Sequence, residues 1–536
     1  MKHLYSFLLS ALVCLSLSAQ NKVSGDSLAA DFHYLVKQLE AAHPDPYTGF
    51  GGKVFFHKQA FDLENELRSQ PHTLQEFWDK SMAFLSFIQD GHTYLFSLAP
   101  KQQQEQSYLP VGFRCIPDGL IVQSLPAAHQ DLLGSLLIGI NGKSMDELLA
   151  RTASLFACEN LYNRYSVFCR NVVRRQFMQQ LLPDLKDTVC FYLRTPDGKD
   201  VTLEQHFMEN EELRKAEKVN LPSWVGCPEE QMAYRFIDKK KEVMMFKVNS
   251  IMARDNFEYM YKHMKGDLLR QMEFYYQNAL KKEMPADTLQ AIRALPSFSG
   301  TFAAMLKEMK KHHSEYLIID LRGNSGGWTP IVLASLYQLY GDKYLQKDMD
   351  TEYYRIVSPL YMNKLEITLE EFNRRYGTDY SFGDYTFSMK EQEDIPLDTL
   401  RRQFIDGCMS SVKEELRAQK GVPVYAPKQV FVVTDERTFS AAFHYAFMLW
   451  KMGATVVGVP SGQAPNTFME QTLFKLPYTG IEGSISNSVQ IFLPGKDKRA
   501  KTFWPDVMLT YDEYKQTGFD KQAEILFLLN KIGQEK

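Results

Sequence analysis

The sequence predicts a mixed α/β protein, with a parallel α/β core in its second half preceded by a helical region and a β-rich module. Three observations predict this. The runs Tyr316-Leu317-Ile318-Ile319-Asp320 and Gln429-Val430-Phe431-Val432-Val433 are continuously apolar, as parallel strands covered on both faces require. Each run leads through a turn of small and polar residues into a helix. Near the N-terminus, Leu28, Phe32, Leu35, Val36 and Leu39 recur at helical spacing.

Taken in order, the chain opens with Lys2, an apolar stretch from Leu4 to Leu17, and Ser18-Ala19-Gln20. This is the layout of a signal peptide over 1–19, cleaved after Ala19, and it implies export to the periplasm, cell surface or medium. Cys14 lies inside the apolar stretch behind Val13, which does not suit a lipidated N-terminus. No later stretch reaches transmembrane length. Residues 20–100 are predicted to be helical. One helix ends at His43-Pro44, a second covers about 56–69, and a third starts at Thr73 with Glu76 completing a capping box. Gly91 is the expected cap at the end of the third helix, followed by His92 and the strand-like Tyr94-Leu95-Phe96.

Residues 101–215 are predicted to form a β-rich module with helices. Strands are expected around Pro117-Asp118-Gly119, and LLGSLLIGINGKSMDELL then gives turn, strand, turn and helix. That order resembles the second half of a PDZ-like module. A hairpin follows at 188–204. Residues 216–536 are read as the core, with a helical insertion at 254–312 and a second insertion at 343–427 rich in Tyr and charge. Strands at 455–459, 471–476 and 485–492 are expected to complete the core sheet.

Bulk composition narrows the function classes. The 536 residues exceed what one core accommodates, so two to four domains are expected. A net charge of −4 without a basic stripe excludes nucleic acid as the expected partner. After Cys14, six scattered cysteines remain with no C-x-x-C pair. Buried thiols are expected for most of them, and one or two disulfides stay open. No zinc-protease, phosphate-loop, G-x-S-x-G or dinucleotide motif is present, so no metal or cofactor is expected.

The chemistry is expected at the two strand-turn-helix units, whose turns lie at the carboxyl edge of a sheet. Ser440 opens a helix apolar on nearly every face, where the Ala441 N–H and the helix dipole can stabilise a developing oxyanion. Gly326 and Gly327 offer bare backbone N–H groups in the other turn.

Here the sequence resembles a family. LIIDLRGNSGG looks like the strand-and-glycine motif of the tail-specific (C-terminal processing) serine proteases. TDERTFSAAFHYAFML, followed by GATVVGVPSGQ, looks like their nucleophile segment, while INGK and WPDVML match shorter motifs. The resemblance spans roughly 240–515 and implies a ClpP/crotonase-like core. It also implies Ser440 as nucleophile, Gly327 and Ala441 N–H groups as the oxyanion hole, and a peptide or protein substrate. The branch using a Ser/Lys dyad places a lysine where Gln463 stands, and Lys451 and Lys475 are at other offsets. Phe443 replaces a glutamate usual in that helix. The branch similar to the Tricorn core and the retinoid-binding repeats uses an N-terminal histidine, and FIQDGHTYL offers His92. An imidazole suits a general base near neutral pH.

His444, one turn beyond Ser440, is the rival base and reads better as a core histidine. Asp90, Glu482 and Asp506 are candidates to orient the base. Asp320 and Arg322 read as a structural pair. The expected function is an exported serine peptidase working through an acyl-enzyme. The alternative is a catalytically silent binding protein for apolar ligands or peptides on the same fold, with 343–427 lining its groove. Residues 108–150 are expected to dock long substrates.

Overall fold

The run Tyr316–Asp320 becomes a fully buried strand at the centre of a five-stranded sheet. The computed structural model describes residues 22–98, 107–349, 351–387 and 395–534, so the predicted signal peptide and Cys14 lie outside the described residues. The sheet runs in the order Met232–Phe236, Val243–Val248, Tyr316–Asp320, Gln429–Thr434, Thr455–Gly458. The last four are mutually parallel, and Met232–Phe236 closes one edge antiparallel. Alternate residues face opposite sides, as strand geometry dictates. Phe246, Leu317, Ile319 and Val432 pack against helices Phe298–His312, Pro330–Tyr340 and Ala441–Lys451. Met245, Ile318, Phe431 and Val433 pack against the last helix, Ala523–Gln534.

The β-rich region forms a seven-stranded antiparallel sheet whose members include Gly112–Ile116, Gly119–Pro126, Leu136–Ile140 and the expected hairpin, Thr188–Arg194 with Asp200–His206. Lys218–Asn220 adds an edge strand. Helices Met145–Leu155, Leu161–Asn171 and Arg175–Leu181 cover this sheet. Ile116 and Ile121 of the same region belong to the cluster beneath the core sheet. The region is therefore packed directly onto the core sheet.

Three N-terminal helices form: Gly25–Ala42, Lys53–Ser69 and Leu74–Ser86, the last with its Thr73/Glu76 capping box in place. The third stops at Ser86, before Gly91, and Gln89 takes the left-handed conformation (φ 56°). Gly91 thus serves close packing, since a Cβ there would sit 2.6 Å from the Phe439 ring.

Two expected core strands go elsewhere. Asn466–Lys475 and Glu482–Ile491 form a separate antiparallel sheet with Tyr94–Leu95, Glu352–Ile356 and Tyr385–Phe387. The strand Asn466–Lys475 alternates in burial along part of its length, which suits a sheet with one face covered better than a parallel core. The N-terminal helices cover that sheet through a shared cluster including Phe32, Leu35, Phe474 and Ile485. The insertion 343–427 supplies two of its strands and further helices, and its described residues line no part of the cavity described below. All six cysteines in the described residues are free. Among the described residues no helix is long and apolar enough to cross a membrane.

Candidate active site

Ser440 joins the strand Gln429–Thr434 to the helix Ala441–Lys451 with φ 51° and ψ −127°, and its side chain makes no capping bond. A serine before a helix normally caps it. Here the backbone holds a conformation that costs energy in any residue with a Cβ, and such strain concentrates at functional sites. Neighbouring groups impose it. The Ser440 N–H donates to the side-chain carbonyl of Gln463. The Phe439 N–H donates to the Asn324 carbonyl at 3.1 Å, and the His444 N–H to the Ser440 carbonyl at 2.9 Å.

The glycine turn packs directly behind the serine. Asn324 donates to the Val248 carbonyl and accepts the Gly326 N–H, both at 2.9 Å. Gly326 has φ 105°, and a Cβ on it would lie 2.7 Å from Ser440 Cβ and 2.8 Å from the Ala441 nitrogen. Gly327 has φ 144°, and a Cβ there would meet the Ile251 carbonyl at 2.2 Å. Only glycine fits either position.

His92 reaches the same place from the other end of the chain. Its carbonyl accepts from the Ser484 hydroxyl at 2.8 Å, and its N–H donates to Asp90 Oδ1 at 2.8 Å. The ring is 6% exposed and lies against Phe439, with centroids 4.9 Å apart. Nδ1 faces Asp90 Oδ1 and Glu159 Oε1, each 3.8 Å away. Neither ring nitrogen has a partner at good hydrogen-bond geometry, although the Phe468 backbone lies near enough to favour the protonated ring. Burial pulls the imidazole below its ordinary range, with the Asp90 charge opposing. Burial also works to raise Asp90, but hydrogen bonding and charge from His43, with help from His92 and Thr93, bring it down to about 2. Burial and then the charge of Asp90 push the Glu159 carboxyl up to about 8. Glu159 accepts the Gly91 N–H at 3.3 Å and the Ala464 N–H at 2.9 Å, clamping the His92 loop to the Gln463 loop.

His92, Asp90, Gly327 and Ser440 line one cavity of about 680 Å³. Ala441 sits beside it, its nitrogen against Gly326. The other two acids considered for orienting the base lie elsewhere. Glu482 is half-exposed and pairs with Lys475 at 3.6 Å, and Asp506 accepts the Val456 N–H at 2.8 Å, so each has a role away from His92. His444 is a core histidine. Its Nδ1 is 2.8 Å from the Thr329 hydroxyl and its Nε2 is 2.7 Å from the Gln490 carbonyl oxygen, and burial lowers it to about 4. Phe443 packs among Phe447, Phe492 and Phe503. Asp320 pairs with Arg322 at 2.8 Å.

Glu159 escaped sequence reasoning. It stands before the asparagine that caps Leu161–Asn171, and an acid in that setting carries no motif. Asp90, His92 and Glu159 bring three donor atoms within 4.8 Å of one another, a spacing a small divalent cation spans. Backbone N–H groups hold both carboxyl groups, and both face His92 Nδ1.

Residues 291–482, which include both turns, match the model of peptidase family S41. No curated protein matches the chain. Among solved structures, mature CPAF superposes with a TM-score of 0.55 at 14% identity, covering 95% of this chain and 98% of that one. Mature CPAF complexed with lactacystin gives 0.52 at 15% identity, covering 94% and 97%. The photosystem II D1 C-terminal processing protease gives 0.39 at 11% identity, covering 91% and 94%. The matched segment carries both the glycine turn and the serine of this cavity, so this part of the chain is similar to peptidase family S41.

Proposed function

We propose that the protein is an exported peptidase that cleaves peptide bonds through an acyl-enzyme on Ser440, with His92 as general base. One observation carries this reading. A serine that caps nothing and a buried histidine whose ring nitrogens have no partner at good hydrogen-bond geometry, far apart in sequence, line one cavity. Ser440 Oγ attacks the scissile carbonyl while His92 accepts its proton. The Gly326 and Ser440 N–H groups are engaged by Asn324 and Gln463, so the oxyanion falls to the Gly327 and Ala441 N–H groups. The C–N bond then breaks, the departing amine takes the proton from His92, and water activated by His92 hydrolyses the ester. Asp90, beside Nδ1, favours the tautomer in which Nε2 is the acceptor.

Gln463, standing where a Ser/Lys enzyme has its lysine, instead fixes the serine backbone. That favours the histidine branch and weakens the silent binding-protein alternative. The test is labelling with a serine-directed phosphonate alongside peptide turnover. Ser440→Ala is expected to abolish labelling and to lower turnover by more than about a thousandfold. Equal labelling of the variant and the wild type would refute the assignment.

A further inference from the structure

Three arginines stand in the wall of the catalytic cavity without an acidic partner. Arg437 lies in the turn that ends at Ser440, while Arg170 and Arg174 lie on and just beyond the helix Leu161–Asn171. All three reach solvent, and none forms an ion pair among the described residues. Arg175, the sequence neighbour of Arg174, is by contrast paired with Asp187. Arg170 donates to the Ser166 carbonyl at 3.1 Å, which fixes its direction. The protein crowded around it and then the like charge of Arg437 pull its guanidinium below the ordinary range. Two guanidinium groups near enough to repel each other destabilise the empty cavity, and a bound anion reverses that cost.

No nearby acid supplies the anion. Glu436 lies in the same wall, but burial and then the charge of Asp435 raise its carboxyl, which weakens it as a counter-charge. Asp435 is turned away to the Gly323 N–H at 2.9 Å. Asp90 and Glu159 face His92. The cavity also has an apolar side built from Trp78, Phe156 and Phe177, with successive ring centroids 6.1 and 5.9 Å apart.

We propose that Arg170, Arg174 and Arg437 form a carboxylate-binding subsite, so that this peptidase selects peptides carrying an acidic group close to the scissile bond. The proposal rests on the peptidase reading for the cleavage step but on its own residues for recognition. Guanidinium forks match a carboxylate in two-point geometry, and the location of Arg437 within the nucleophile's own turn places the acidic group near the reacting carbonyl. The Trp78–Phe156–Phe177 wall takes an apolar neighbour of that acidic residue. A side-chain carboxylate and a free C-terminus offer the same chemistry, and the experiment separates them.

Fluorogenic peptides identical except for Glu, Gln or Lys at one position near the cleaved bond, each with a free or amidated C-terminus, are assayed for kcat/KM with the full chain. Their binding to Ser440→Ala is measured in parallel by fluorescence anisotropy. Glu peptides are expected to be favoured over Gln peptides by roughly tenfold or more at low salt, with the preference shrinking as ionic strength rises. If the preference follows the free terminus instead, the carboxylate recognised is the chain end. The double change Arg170→Glu with Arg437→Glu should move the preference to Lys peptides, a gain that a misfolded protein cannot show. Equal binding of Glu and Gln peptides to Ser440→Ala, with either terminus, overturns the subsite whatever the wild type cleaves. Selective binding of Glu peptides without turnover of any peptide by the wild type keeps the subsite and instead refutes the peptidase mechanism.

Discussion

The working pH of His92 is set first by burial and then by the charge of Asp90 beside it. If His92 takes the serine proton it must be neutral, so the rate is expected to fall as pH drops through its pKa. Burial places that pKa below the ordinary value of 6.5, so activity should persist further into the acid range than a solvated imidazole allows. The charge of Asp90 opposes the shift. Asp90→Asn should therefore move the acid limb of the kcat profile to lower pH and lower its plateau, because the ring loses the group that holds its tautomer. An acid limb that stays put would separate Asp90 from His92. That Ser440, His92 and Gly327 meet in one cavity was legible because each sits in a short motif that the family resemblance singled out. Gln463 and Glu159 were not. Gln463 appeared only as the absence of a lysine, and Glu159 acts on Gly91 and Ala464, contacts that no spacing in the sequence announces.

At the level of elements, two turns interlock like adjacent teeth. The glycine turn occupies the space behind Ser440, and Gly326 is the residue that lets the two backbones meet. Gly326→Ala adds a methyl 2.7 Å from Ser440 Cβ at a φ of 105°, so something must shift. Even a displacement near 1 Å at a reacting group can cost about a hundredfold in rate. Peptide turnover should fall by at least that much while circular dichroism still shows a folded protein. Wild-type kcat/KM in this variant would mean that the turn does not support the serine. The core strands could be read from sequence because parallel strands covered on both faces are apolar throughout. The destination of Asn466–Lys475 and Glu482–Ile491 could not, since a strand's pattern reports which face is buried and not which partner it will choose.

Across the whole molecule, one carboxylate ties three regions together. Glu524 on the last helix accepts from Arg114 of the β-rich sheet at 2.8 Å, from Arg322 of the core turn at 2.7 Å and from the Tyr514 hydroxyl at 2.7 Å. Burial works to raise this carboxyl, but Arg114 and Arg322 outweigh it and hold it below the ordinary range. A depressed acid contributes stability above its unfolded pKa and loses it as pH falls through the folded value. Glu524→Ala leaves Arg114 without its acid and Arg322 with Asp320 alone, and should destabilise the protein by about 3–5 kcal/mol. Urea unfolding at pH 7 measures this, and the deficit should narrow towards the folded pKa. No change in midpoint would show that the three regions are held by apolar packing alone.

The pairing of Tyr94–Leu95 with Glu482–Ile491 also sets a schedule. A ribosome makes the loop that carries the base early and the serine helix late, and the strand that steadies the base emerges only after both. Until that strand is available, the His92 loop lacks its strand partner and the Ser484 bond to the His92 carbonyl. If His92 is the base, a growing chain gains its cutting ability only once Glu482–Ile491 has been made.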